Sequence, residues 1–241
     1  MRRNLTKFII LTIHFSISGQ LFSYGQINNW TNSVGIKANG GLSYFPTKIH
    51  QTGTPQTTQI FYFVPSAQCG IYYNYQVEQK SLFGIELLLT QIEGKEHDET
   101  PATDNFGNPT GQFITNDISR HLSYLSVPIY YGFFIKKLNV NFGLQTSMLL
   151  KSSGLSKAKS PDNNGGYYNF ELKLDNLPVK DFDFGAKLGL SYALTNRFSI
   201  EATYYYGLLN IYKYNSADFK YKIQQITIGL RFSFIRQFSI T

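Results

Sequence analysis

The sequence predicts an all-β protein: an eight-stranded antiparallel up-and-down transmembrane β-barrel behind an N-terminal signal peptide. Three observations lead there. Apolar side chains recur at every second residue in eight separate segments. The connections between those segments alternate between long and short. Aromatic residues make up 16% of the chain, yet no apolar run after the N-terminus approaches the roughly 20 residues a membrane helix requires.

The first element is an export signal. Arg2, Arg3 and Lys7 precede an apolar stretch at 8–17 (FIILTIHFSI), and Ser23 and Gly25 place small residues where a signal peptidase reads. Cleavage after Gly25 is expected. Residues 1–25 are then the signal peptide, and 26–241 form one outer-membrane β-barrel domain. The Arg2-Arg3 pair invites a twin-arginine reading, but that route carries folded cargo and a barrel must cross the inner membrane unfolded.

The eight segments follow. Residues 34–46 set Ile36, Ala38, Leu42 and Tyr44 against Lys37, Asn39 and Ser43. In 66–77, Cys69, Ile71, Tyr73 and Tyr75 alternate with Gln68, Gly70, Tyr72 and Asn74. In 82–92, Phe83, Ile85, Leu87 and Leu89 alternate with Gly84, Glu86 and Thr90. Residues 122–135 oppose Leu125, Val127, Ile129 and Phe133 to Ser126, Tyr130 and Gly132. From residue 138, Val140, Phe142 and Leu144 oppose Asn139, Asn141 and Gln145. The last three segments repeat the pattern: Leu188 and Leu190 against Asp183 and Lys187, Ile200 and Ala202 against Glu201 and Thr203, Ile228 and Leu230 against Thr227 and Arg231. Each is about as long as a tilted strand crossing a bilayer.

The short connections lie near 78–81, 136–137 and 195–197; the long ones are 47–59, 95–120 and 155–180, with 213–221 closing the series. Short turns belong on the periplasmic side and long loops outside. Aromatic residues at strand ends (Tyr44, Phe45, Tyr73, Tyr75, Phe133, Phe134, Phe182, Phe198, Tyr204, Tyr206, Phe232, Phe234) are expected to form the two interfacial girdles.

Eight strands enclose a lumen that side chains fill. Its predicted charges are Lys37, Glu86, Asp183, Lys187, Glu201 and Arg231, three of each sign. Because buried charges are costly unless paired, they are expected to form a structural network of salt bridges across the lumen. The formal charge is +7; Arg2, Arg3 and Lys7 lie at the N-terminus and the other cations are scattered, which gives nucleic acid little support as a partner. The single cysteine excludes an intrachain disulfide, and Cys69 is expected to act as a small wall residue.

Two stretches, 83–94 (FGIELLLTQIEG) and 122–134 (LSYLSVPIYYGFF), resemble the PorT-like outer-membrane β-barrel family. The second is similar to that family's "Leu-x-Ile-Pro" strand at Leu125, Ser126, Val127 and Pro128; where the family often has an acidic residue, this chain has Ser126. The resemblance implies an outer-membrane barrel and associates the chain with protein secretion or surface assembly. It carries over no catalytic residue.

No phosphate loop, Cys/His metal spacing or nucleophile elbow is present, so no cofactor and no metal are expected. The leading expectation is a small non-enzymatic barrel of the cell outer membrane, in contact with outer-membrane lipid. It would meet the barrel-assembly machinery during insertion and a surface or secretion partner through loops 95–120 and 155–180. One alternative is a secreted lipocalin-like carrier, which requires an apolar lumen and a polar outer wall. Another is a lipid-modifying enzyme at the outer rim, with His121 and Ser119 or Ser123 as its base and nucleophile.

Overall fold

The computed structural model describes residues 32–45, 47–49, 58–78, 80–103, 108–162, 166–213 and 219–236; the expected signal peptide and His50 lie outside them. Its strands are β1 (Asn32–Tyr44), β2 (Thr47–Ile49), β3 (Thr58–Tyr62), β4 (Val64–Glu78), β5 (Ser81–Thr103), β6 (Pro109–Ile135), β7 (Leu138–Pro161), β8 (Tyr167–Asp175), β9 (Phe182–Ala193), β10 (Phe198–Gly207), β11 (Phe219–Tyr221) and β12 (Gln224–Arg236). Eight of them, β1, β4, β5, β6, β7, β9, β10 and β12, pair antiparallel in chain order, and β12 returns to β1 to close the ring. Closure leaves no edge among these strands, the condition for a sheet to survive in hydrocarbon.

The wall is inverted relative to a soluble barrel. Ile36, Leu42, Ile71, Leu87, Leu144, Leu188 and Ile228 face outward; Ile228 is 62% exposed, whereas Lys37 is 3% exposed. Every second residue of β10 from Glu201 to Gly207 is buried. The β5–β6 register passes from Ile85 opposite Ile129 to Leu88 opposite Ser126. Pro128, which has no N–H to donate, lies in the step between, and its ring is fully buried. Large inward rings fit because glycines stand beside them: a Cβ at position 84 would collide with the Tyr130 ring.

Aromatic clusters mark both edges of the apolar band. Phe133 stacks on Phe142 at 6.2 Å and meets Tyr131 at 4.9 Å, and Phe198 packs on Phe232 at 4.9 Å, all toward the short-turn end. At the other end Tyr44 stacks on Phe63 at 5.0 Å. Phe45 departs from the expected girdle. It is 4% exposed and packs inside the mouth.

The long connections differ most from expectation. Segment 95–120 is not a loop over most of its length: β5 and β6 stay paired from Gly94 opposite Arg120 to Thr103 opposite Pro109. In 155–180, β7 runs on to Pro161 and β8 folds back against it, from Pro161 opposite Tyr167 to Ser153 opposite Asp175. β3 adds to β5 over Lys95–Glu99. Outside the bilayer both faces of a strand meet water, so the apolar alternation ends while backbone pairing continues. Two described stretches of the long connections fold inward. Leu177 and Val179, between β8 and β9, pack with Ile211, Tyr221 and Ile223, between β10 and β12, on Phe45, Ile92, Leu122, Tyr124 and Tyr205. The backbone N–H of Lys180 donates to Ile211 O at 2.6 Å, which ties the two connections into one apolar lid over the mouth.

Candidate functional site: the lumen charge cluster and the outer rim

β1, β5, β9, β10 and β12 each contribute one charged side chain to a cluster in the lumen, because each carries it in the inward phase of its alternation. Glu86 is the hub. Lys187 Nζ lies 2.5 Å from its Oε2, Lys37 Nζ 3.2 Å from the same oxygen, and Arg231 Nη2 3.9 Å from Oε1. Glu201 is the second anion, paired with Lys37 and, at 3.0 Å, with Arg231 Nη1. All five side chains are at most 5% exposed.

Neutral partners take up the remaining hydrogen-bonding capacity. Asn39 Nδ2 donates to Glu201 Oε1 at 3.0 Å and Arg231 Nη2 to Tyr130 OH at 3.0 Å, while Tyr130 OH donates to Asn74 Oδ1 at 2.7 Å. The guanidinium also lies 4.0 Å from the centroid of the Tyr72 ring, a cation–π contact in a dry site. Toward the lid, Gln68, Thr203 and Thr227 form a hydroxyl–amide layer, with Gln68 Nε2 donating to Thr227 Oγ1 at 2.7 Å. Side chains thus cross the lumen at both levels.

Of the six predicted lumen charges the structure brings together Lys37, Glu86, Lys187, Glu201 and Arg231. Asp183 does not join them. It is buried, accepts from Tyr205 OH at 2.7 Å, and belongs to no ion pair among the described residues. Asp183 and Lys187 share a face but stand four residues apart on β9, about 13 Å of strand. Asp183 thus lies near the lid and Lys187 in the middle of the barrel. The cluster holds three cations against two carboxylates.

The outer rim carries separate polar groups on the paired extensions, not in loops. His97 Nδ1 lies 2.8 Å from Asp117 and its Nε2 3.1 Å from Glu99. Hydrogen bonds first to Asp117 and then to Glu99 hold its pKa above the usual histidine value. Arg120 Nη2 donates to Glu96 at 2.6 Å, and its guanidinium covers the Tyr221 ring at 5.0 Å. Sequence reading missed this group and the lid, because isolated apolar or charged residues between turn formers carry no periodic signal.

His121, the candidate rim base, pairs with Glu93 at 3.0 Å directly across the β5–β6 ladder. Both side chains are about half exposed, and no hydrogen bond joins His121 to Ser119 or Ser123 among the described residues. Nor does any group of three His, Cys, Asp or Glu among those residues form a metal cage.

A closed eight-stranded ring, greasy outside and ionic within, defines a small membrane-spanning barrel. The chain belongs to the family of the outer membrane protein beta-barrel domain, whose model matches residues 20–213. It is a protein of the outer membrane. No curated protein matches it. Among solved structures it is similar to the attachment invasion locus protein Ail of Yersinia pestis (14% identity over 84% of this chain and 99% of that one, TM-score 0.38). It is also similar to Neisserial surface protein A (12% identity, 83% and 97%, TM-score 0.39), and to OprG of Pseudomonas aeruginosa (12% identity, 86% and 95%, TM-score 0.35). The lipocalin-like alternative fails on the wall, since its exterior would have to be polar and its lumen apolar.

Proposed function

We propose that this is a non-enzymatic barrel that holds a β-sheet platform above the outer membrane for a protein partner at the cell surface. The observation that carries this reading is the continuation of the ring as paired strands beyond the bilayer: the β5–β6 extension flanked by β3, and the β7–β8 hairpin. On β8, Tyr168, Phe170 and Leu172 stay 58–59% exposed, in phase with Leu174, which packs against the lid. Exposed apolar side chains on an ordered sheet outside the membrane suit a protein contact better than a solvated loop does. The lumen charge cluster acts as an internal strut in this reading, and the side chains that cross the lumen argue against solute passage.

The similarity of 83–94 and 122–134 to PorT-like strands narrows the partner to one involved in secretion or surface assembly. Outer-membrane lipid and, during insertion, the barrel-assembly machinery complete the expected contacts. The test is photo-crosslinking in cells from Phe170 and Ile114. A discrete adduct is expected from each position, and the Ile114 adduct is lost when Tyr168, Phe170 and Leu172 are replaced by Ser in a barrel that still shows heat-modifiable migration. Absence of any platform adduct in correctly inserted protein would end this reading.

A further inference from the structure

The short-turn end carries a group of exposed cations. At the rim three cations are paired, Arg120 with Glu96, Lys157 with Glu171 and Lys213 with Asp181. At the turn end Lys80, Lys136, Lys137 and Arg197 are exposed, and none of them belongs to an ion pair among the described residues. Glu78 is the acid that the three turn sequences contain.

Two of these turns lie side by side. Leu138 pairs with Tyr192, and the Ala193 N–H donates to Lys137 O at 3.0 Å, which fixes the β6–β7 turn against the β9–β10 turn. Between them is a cavity of about 170 Å³, lined by Lys136, Lys137, Thr195 and Asn196 together with Phe134, Ala193 and Leu194. Thr195 Oγ1 accepts from the N–H groups of Arg197 (3.2 Å) and Phe198 (3.0 Å), so its own hydrogen is left to donate. Lys136 has φ 58°, the left-handed region that a two-residue hairpin turn normally fills with Asn or Gly. A lysine is a poor conformational choice at position 136, but this turn sets two lysines in the cavity lining.

We infer that this cavity between the β6–β7 and β9–β10 turns is a binding site for a phosphate-bearing group on the periplasmic side of the barrel. Two ammonium groups, a hydroxyl and a carboxamide supply donors and positive charge, and the Phe134 and Leu194 wall takes the less polar part of the group. The phosphate comes from the headgroup of an anionic phospholipid in the adjoining leaflet or from a soluble phosphate in the periplasm.

The test uses the full-length barrel in nanodiscs, comparing it with K136N/K137Q, in which Asn suits the left-handed backbone, and with a rim control, K151Q/K157Q. One arm measures the motionally restricted fraction of spin-labelled phosphatidylglycerol relative to phosphatidylcholine. The other measures ³¹P line broadening of inorganic phosphate in phosphatidylcholine discs. A phosphatidylglycerol preference of about threefold or more is expected, at least halved in K136N/K137Q and unchanged in the rim control. Phosphate broadening that only K136N/K137Q loses, without lipid preference, assigns the site to soluble phosphate. Identical lipid preference and identical phosphate broadening in K136N/K137Q and the parent overturn the proposal.

Discussion

Replacing Glu86 by Gln should cost far more stability than the same change at any rim carboxylate. Gln keeps the volume and removes one negative charge from the middle of the lumen. Lys187 then loses the partner 2.5 Å from its ammonium, Lys37 loses one of two, and Arg231 loses its contact at 3.9 Å. Glu201 alone faces three cations that water cannot reach, since every side chain in the cluster is at most 5% exposed. Breaking a buried pair from one side typically costs about 3–5 kcal/mol, because a bare charge is left behind. That is roughly a hundredfold to several thousandfold in the folding equilibrium.

The reference variant is Glu93→Gln, whose pair with His121 is about half exposed; exposed pairs contribute about 0–1 kcal/mol. The assay is reversible urea unfolding of the refolded barrel in lipid vesicles, followed by heat-modifiable migration. The double variant Glu86→Gln/Lys187→Met should recover part of the loss by removing the orphaned cation together with the anion. If Glu86→Gln proves no more destabilising than Glu93→Gln, or if the double variant's loss equals the sum of its single losses, the buried cluster is not an energetic unit.

Two further outcomes are expected. His97 has a raised folded pKa from Asp117 and Glu99. Its stabilising effect is therefore complete below the unfolded histidine value near ~6.5 and fades as pH rises through the folded value; hydrogen exchange of the β5–β6 extension, corrected for intrinsic rates, should show more protection at pH 5.5 than at pH 8.5, and His97→Gln should erase the difference. Gly84→Ala should destabilise by about 1–3 kcal/mol through overpacking against the Tyr130 ring; pairing it with Tyr130→Leu should restore much of that in the same urea assay, and an unaffected Gly84→Ala midpoint would contradict the packing described.

What the sequence made legible was what the bilayer dictates. Leu188 and Lys187, or Ile228 and Thr227, sit on opposite faces because one side of the strand meets lipid and the other the lumen, and that alternation is written residue by residue. Two things were not written there. Height along the axis depends on register between strands, so Asp183 was grouped with Lys187 by phase although four residues of strand separate them. Pairing above the membrane leaves no apolar rhythm, so KEHDET and its partner strand read as loop although Lys95 faces Ser119 and Glu99 faces Thr115. The lid was illegible for a related reason: Leu177, Val179, Ile211 and Ile223 are scattered apolar residues until two connections fold together over the mouth.

The direction in which the wall faces can be read most directly from the protein's own cysteine. Cys69 is exposed on the outward face of β4, opposite Ala38 and Leu89. A fluorophore attached there should be strongly quenched by lipids brominated along their acyl chains and little affected by aqueous iodide, whereas the same label on Gln68→Cys in a Cys69→Ser background should escape the brominated lipid. Iodide quenching at Cys69 together with brominated-lipid quenching at position 68 would contradict the orientation of every strand described above.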